Sequence, residues 1–296
     1  MRILASVFML MLALPAIAAT PINEVRPLDP AGSIDIENLK GRIQVQGWER
    51  DEVRITGSLG EGVERLVVEG DRQHLEVRVK YPDSSGWGGK RSEATDLRLM
   101  VPLRASLEID SVSAEVDVTG VAPRSLAIDS VSGNVTVAGA PGEIDVDNVS
   151  GDIRLTVNSG DVSAESVSGS IVLRGRMNGR IDAESVSGSI DVLVNGERIQ
   201  KFNGNSVSGS ISLDAALARN GEISMESISG RLTLALPSDL SAQVRGESMS
   251  GTLKAPGVQV ERPRYGPGSS YRTRYGSGDG EISLQTLSGN AELKFK

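Results

Sequence analysis

Residues 143–155 read Glu-Ile-Asp-Val-Asp-Asn-Val-Ser-Gly-Asp-Ile-Arg-Leu, and this stretch decides the fold. Ile144 and Val146 alternate with acidic residues before the Asn-Val-Ser-Gly unit, and Ile153 and Leu155 alternate with polar residues after it. Alternation with period two marks a strand that buries one face. With Val149 taken as position k, the apolar residues fall at k−5, k−3, k+4 and k+6. The phase slips by one residue between k−1 and k, so the inward face survives only if the chain bends there. The unit is a corner joining two short strands.

The corner recurs. Ser-Val-Ser-Gly or a near variant has its position k at Val131, Val149, Val167, Val186, Val207, Ile228 and Met249, with degenerate copies at Leu39, Val112 and Leu287. From Val112 to Met249 the spacings are 19, 18, 18, 19, 21, 21 and 21 residues, which is a structural period. Gly stands at k+2 in every copy except that at Val112, where the residue is Ala114. A residue without Cβ fits where backbones approach closely, and the flanking serines can satisfy backbone groups freed by a bend.

The expected fold is all-β: a single-chain β-solenoid of about ten coils, with two short strands per 18–21-residue repeat, stacked at about 4.8 Å into a rod of about 45 Å. An antiparallel hairpin meander is the alternative. Stacking is preferred because it selects an identical corner at a fixed offset, whereas hairpin turns usually carry Asn-Gly or Gly-x pairs. The calcium-binding nonapeptide repeat is absent.

The period breaks twice. Between Leu39 and Val112, residues 53–55, 66–68, 75–79 and 97–101 are strand-like, and the Gly/Ser-rich stretch 84–92 interrupts them as a loop. This irregular β region, 20–106 with the first repeat, is expected to cover one end of the repeat body 107–296. Between Met249 and Leu287 a basic Tyr/Arg insertion at 256–279 separates the last two copies. Residues 1–19 read as a secretory signal peptide: Arg2, an apolar run at 3–14, Pro15, and the small-x-small pattern Ala16-Ile17-Ala18. Its removal takes the charge from 31 − 39 = −8 to 30 − 39 = −9. The expectation is an exported protein of the periplasm or cell surface with no membrane span; its oligomeric state is open.

Composition excludes several function classes. An acidic chain does not bind nucleic acid through its net charge. With no Cys and one His there is no disulfide scaffold, no Cys-type zinc site and no three-His metal centre. No metal or cofactor is expected, and His74 is the only possible base for a Ser-His-Asp device. Alternation places it on an exposed strand face. Trp48 is expected to pack at the N-terminal cap, and Trp87 to sit in the loop.

The Ser-Val-Ser-Gly corners, the Gly-Trp-Glu segment at 47–49 and the Tyr-Gly-x-Gly segment at 275–278 resemble an exported bacterial family of β-strand repeats, usually labelled "putative adhesin" and of unknown function. The resemblance spans about residues 34–293 and implies no catalytic residue.

Two surfaces stand out. Position k−2 carries Glu37, Asp110, Asp129, Asp147, Glu165, Glu184, Glu226 and Glu247, with Asn205 and Gln285 in the other copies. Its parity is outward, so stacking makes an acidic stripe. Neighbouring charges at about 4.8 Å repel by about 0.9 kcal/mol in water, which invites cations or cationic partners. The alternative is that each carboxylate accepts hydrogen bonds at its own corner, for example from the k+1 Ser, and serves solubility and edge protection. The second surface is the insertion, where Arg262, Arg264, Tyr265, Tyr271, Arg272, Arg274 and Tyr275 fall within 14 residues. Arg and Tyr make rigid, adaptable contacts in recognition loops. The loop either binds an anionic envelope glycan, lipid headgroup or partner protein, or folds back over the acidic stripe, pairing its arginines with the k−2 ladder and laying its tyrosines over the last coil.

The expected function is a cell-envelope binding or structural protein presenting a repetitive β surface to a glycan, cationic peptide or protein. It is expected not to be an enzyme. The alternative is a polysaccharide-cleaving solenoid using paired carboxylates such as Asp145, Asp147 and Asp152.

Overall fold

A computed structural model describes residues 20–82, 92–264 and 267–296. Residues 1–19, read above as a signal peptide, the expected loop at 84–92 up to residue 91 with Trp87, and Tyr265 lie outside the described residues. The chain is all-β: 22 strands hydrogen-bond into one sheet, and the described residues contain no helix.

Each repeat forms the two expected strands. In Glu143–Ser150, Ile144, Val146 and Asn148 are buried and the residues between them exposed, and Ile153–Ser159 alternates in the same way. Glu143–Ser150 lies parallel and in register between Ser125–Ser132 and Asp161–Ser168, so Val146 sits beside Ile128 and Ala164. Ile153–Ser159 lies parallel between Val135–Gly139 and Ile171–Met177, with Leu155 beside Val137 and Leu173. These parallel registers rule out antiparallel hairpins for the repeats. The inward residues of both strands form one core of mainly Ile, Val and Leu, as expected from identical branched side chains stacked in ladders.

The corner glycine answers to space. A Cβ on Gly151 would overlap the carbonyl oxygen of Gly133, and the same holds for Gly169 on Gly151, Gly188 on Gly169 and Gly209 on Gly188. Ala114 does not share the positive φ of Gly133 (131°) and Gly151 (136°); here Ser33–Trp48 and Ser106–Thr119 run through their corners as continuous strands, pairing Lys40 with Ser113 and Gly41 with Ala114. Side chains tie the tighter corners: Asn148 Nδ2 donates to the Gly133 carbonyl at 3.0 Å. The Asp152 amide donates to Asn134 Oδ1, and the Ser170 amide to Asp152 Oδ1, each at 3.0 Å.

The ends depart from a simple sequential stack. Ser33–Trp48 pairs on one side with Ser106–Thr119 and on the other with His74–Lys80 and Thr95–Pro102. Two of the expected strand runs thus add a further pair outside the first recognisable repeat. Antiparallel strands then cover this end: Glu52–Leu59 on Thr95–Pro102, Thr20–Pro27 on Glu52–Leu59, and Arg65–Gly70 on His74–Lys80. Trp48 packs here as expected, donating from Nε1 to the Glu52 carbonyl at 2.8 Å beneath Arg50 and Arg54.

At the other end the expected order of the last two copies is corrected. Gly280–Thr286 lies between Ile211–Ser227 and Ala242–Ser248, parallel to both. Asn290–Phe295 lies between Arg231–Leu236 and Leu253–Lys254. In space the corners therefore run Ile228, Leu287, Met249. The insertion makes this possible by doubling back: Ser269–Tyr275 pairs antiparallel with Ala242–Ser248 and covers an edge that would otherwise expose unpaired strand groups.

Candidate binding groove along the corner line

Parallel register turns position k−2 into a ladder. Glu37 neighbours Asp110, which neighbours Asp129, followed by Asp147, Glu165 and Glu184. Asn205 comes next, then Glu226, then Gln285 from the interleaved copy, and Glu247 last. All eight acids share one line. Its ends carry compensation: Arg78 approaches Glu37 at 3.9 Å and Arg245 pairs with Glu247 at 2.6 Å. From Asp110 to Glu165, no ion pair is formed among the described residues.

This middle run is electrostatically strained. Partial burial raises the carboxyl pKa values of Asp110, Asp147 and Glu165, and neighbouring carboxylates add to the rise. A raised folded-state pKa gives stability that is complete below the unfolded value and lost as pH climbs through the folded one. The ladder therefore destabilises the chain from about pH 4 upward. Asp147→Asn is expected to raise stability at pH 7 by under about 1 kcal/mol after solvent screening, a gain that fades below about pH 4. Urea melts of both chains across pH check this; a loss of stability at pH 7 would contradict the strain.

Position k is the surprise. Its aliphatic side chains stand in solvent along the whole line, from 37% exposed at Leu39 to 54% at Met249. Between this apolar ridge and the acidic ladder runs a single groove of about 1560 Å³, reaching from Glu37 and Leu39 to Met249. The k−1 residues between the ridges, such as Ser166 and Ser185, are buried. The insertion closes one end, where Glu261, Arg262, Pro263 and residues 267–270 line the same groove. Exposed apolar patches of this extent on a soluble surface mark interaction sites. The phase slip expected between k−1 and k falls instead after k, so Val149 keeps the outward parity of Asp147 and the inward phase resumes at Ile153.

The insertion residues separate. Tyr271 is 2% exposed and packs against Gly246, where a Cβ would meet its ring. Expected as a contact residue, it is instead part of the end cover, because its strand turns that side chain inward. Burial pushes its phenol up to about 12. Tyr275 is half-buried, donating to the Pro256 carbonyl at 2.7 Å and meeting Phe295 edge to face. Both tyrosines follow the fold-back alternative. Arg262, Arg264, Arg272 and Arg274 remain exposed, but only Arg262 lines the groove.

The catalytic alternatives find less support. Ser33 Oγ lies 2.9 Å from His74 Nδ1, and Asp35 Oδ2 lies 3.5 Å from Nε2. Ser33 and Asp35 stand on one strand and His74 on the next, on a solvent-facing sheet surface, and none of the three lines the groove. Asp152 is engaged by the Ser170 amide and by Arg154, and the amide bond above all holds its carboxyl below the usual range. It is thereby tied to corner structure rather than left to act with Asp145 or Asp147. The described residues contain no group of three or more His, Asp or Glu set to hold a metal, and no helix long and apolar enough to cross a membrane.

The chain is an all-β repeat protein with an extended surface groove. Residues 106–221 match the family model described as Toastrack DUF4097, so the resemblance drawn from the corner motif holds. Among solved structures the chain is similar to a "putative lipid binding protein" from Parabacteroides distasonis ATCC 8503, at 14% identity and a TM-score of 0.50, covering 94% of this chain and 97% of that one. It is also similar to a "putative adhesin" from the same organism, at 12% identity and a TM-score of 0.49, covering 93% and 98%. A third is a "putative adhesin" from Bacteroides fragilis NCTC 9343, at 11% identity and a TM-score of 0.44, covering 94% and 98%. No curated protein matches the chain.

Proposed function

We propose that this chain is an exported cell-envelope binding protein, a β-solenoid whose corner groove holds an elongated partner along the stack. The observation that carries the reading is the ridge of exposed aliphatic side chains beside the acidic ladder. Exposing ten such residues in one line forgoes about 25 cal/mol per Å² of burial, a cost that a bound partner recovers. The parallel ladders support the solenoid description, with an N-terminal region from residue 20 to 106 that holds the first repeat and whose antiparallel strands cover one end, and 107–296 as the repeat body. The lipid-binding label of one structural neighbour and the adhesin labels of others agree with a binding rather than a catalytic role.

Changing Val149, Val167 and Val186 together to Ser tests the reading. All three are exposed, so each costs within about 0.5 kcal/mol of stability and the fold is expected to persist by circular dichroism. On an array of envelope glycans, lipids and cationic peptides, binding by the parent chain is expected to fall at least about tenfold in the triple variant, the loss of roughly 1.4 kcal/mol of apolar contact. Array binding that is the same for both chains would remove the groove from the function.

A further inference from the structure

Resting on the groove reading above, we propose that the ligand class the groove recognises is a linear aliphatic polyamine, lying along the stack with its ammonium groups on the k−2 carboxylates and its methylenes against the k ridge. Four observations converge. The run Asp110, Asp129, Asp147 and Glu165 is in register from strand to strand and forms no ion pair among the described residues, whereas both ends of the ladder have an arginine at hand. Partial burial and mutual repulsion raise carboxyl pKa values along this run, so a cation placed there relieves an existing cost. Facing it is a continuous hydrocarbon wall of exposed Val side chains. Along the groove floor, Ser130 and Ser166 line the groove with buried hydroxyls that have no hydrogen-bond partner among the described residues, leaving oxygens free to accept from ammonium groups.

Spacing chooses among cations. Carboxylates on adjacent strands repeat at about 4.8 Å. Two amines separated by three methylenes lie about 5 Å apart when extended, so the mismatch over three steps stays below about 1 Å. In an extended peptide, side chains on one face repeat at about 6.8 Å and lose register within two steps. A divalent metal ion matches charge but makes no contact with the valine ridge.

The experiment is isothermal titration calorimetry on the purified mature chain at low salt. The probes are a linear tetraamine with three-carbon spacers, one with six-carbon spacers, and Mg²⁺. The three-carbon tetraamine is expected to bind at least about tenfold more tightly than the six-carbon one, since several ammonium groups must dock together to gain avidity. Asp147→Asn with Glu165→Gln is expected to weaken it at least about tenfold, and Val149→Ser with Val167→Ser severalfold, with the fold intact in both. Equal affinity for the two spacings, or for Mg²⁺ at matched charge, means diffuse attraction and overturns the proposal, as does binding indifferent to the carboxylate variant. If the tetraamine fails while array ligands still depend on the valines, the polyamine is wrong and the groove stands. If neither depends on the groove, both readings fall.

Discussion

Gly188→Ala is expected to destabilise the chain by about 3 kcal/mol, among the largest effects of any single methyl group added to it. The new Cβ would overlap the carbonyl oxygen of Gly169, while the Gly188 carbonyl is itself overlain by Gly209. The neighbouring carbonyl cannot retreat without shifting the next corner, so strain spreads along the stack. Val186→Ala, two residues away but exposed, is the matched control and is expected to change stability by under about 0.5 kcal/mol. Urea denaturation of the three chains decides it. If Gly188→Ala costs no more than the control, the glycine ladder is not what sets the approach of the corners.

The second large effect lies at Tyr271. Truncation to Ala is expected to cost about 3–5 kcal/mol, because the ring is the main apolar cover over Gly246 and its loss leaves a cavity. Tyr271→Phe separates ring from hydroxyl. The phenolic oxygen is buried without a hydrogen-bond partner among the described residues, so its removal is expected to be neutral or stabilising. Ionisation supplies an independent reading. With its folded value at about 12 and an ordinary value of 10.0, Tyr271 contributes stability that is complete below pH 10 and lost as pH rises through 12. The parent chain is therefore expected to lose stability steeply over that interval, and Tyr271→Phe to lose less. Parallel slopes for the two chains would show that the hydroxyl is solvated.

Much of this was legible from 13 residues. Parity on either side of Val149 fixed the two strands, and the recurrence of the corner at near-constant spacing implied parallel stacking, which brought Asp110, Asp129, Asp147, Glu165 and Glu184 to one line. The glycine at k+2 announced a close approach without saying that the obstacle is the neighbouring glycine's carbonyl. Three features stayed out of reach. The outward face of Val149 and its counterparts is not fixed by alternation, because parity counted from Asp147 turns k outward and parity counted from Ile153 turns it inward. The pair His74–Lys80 and Thr95–Pro102 carries no corner unit to mark it as a layer. The placement of Gly280–Thr286 between two earlier strands is a long-range choice, since local alternation fits either order equally well. Of the insertion, the sequence distinguished composition but not direction: Tyr271 turns inward and Arg272 outward because they alternate on one strand.

The interleaved end also has a kinetic side. A stack that grows one repeat at a time can add each layer to the last as the chain emerges, yet here the layer at Met249 must leave space for residues 280–295, or release its neighbour to admit them. Residues 211–295 are therefore expected to consolidate as one cooperative unit, late and together, while repeats 125–187 assemble by local addition. Hydrogen exchange would show this as a common protection onset across the three final corners, in contrast to graded onset along the middle repeats.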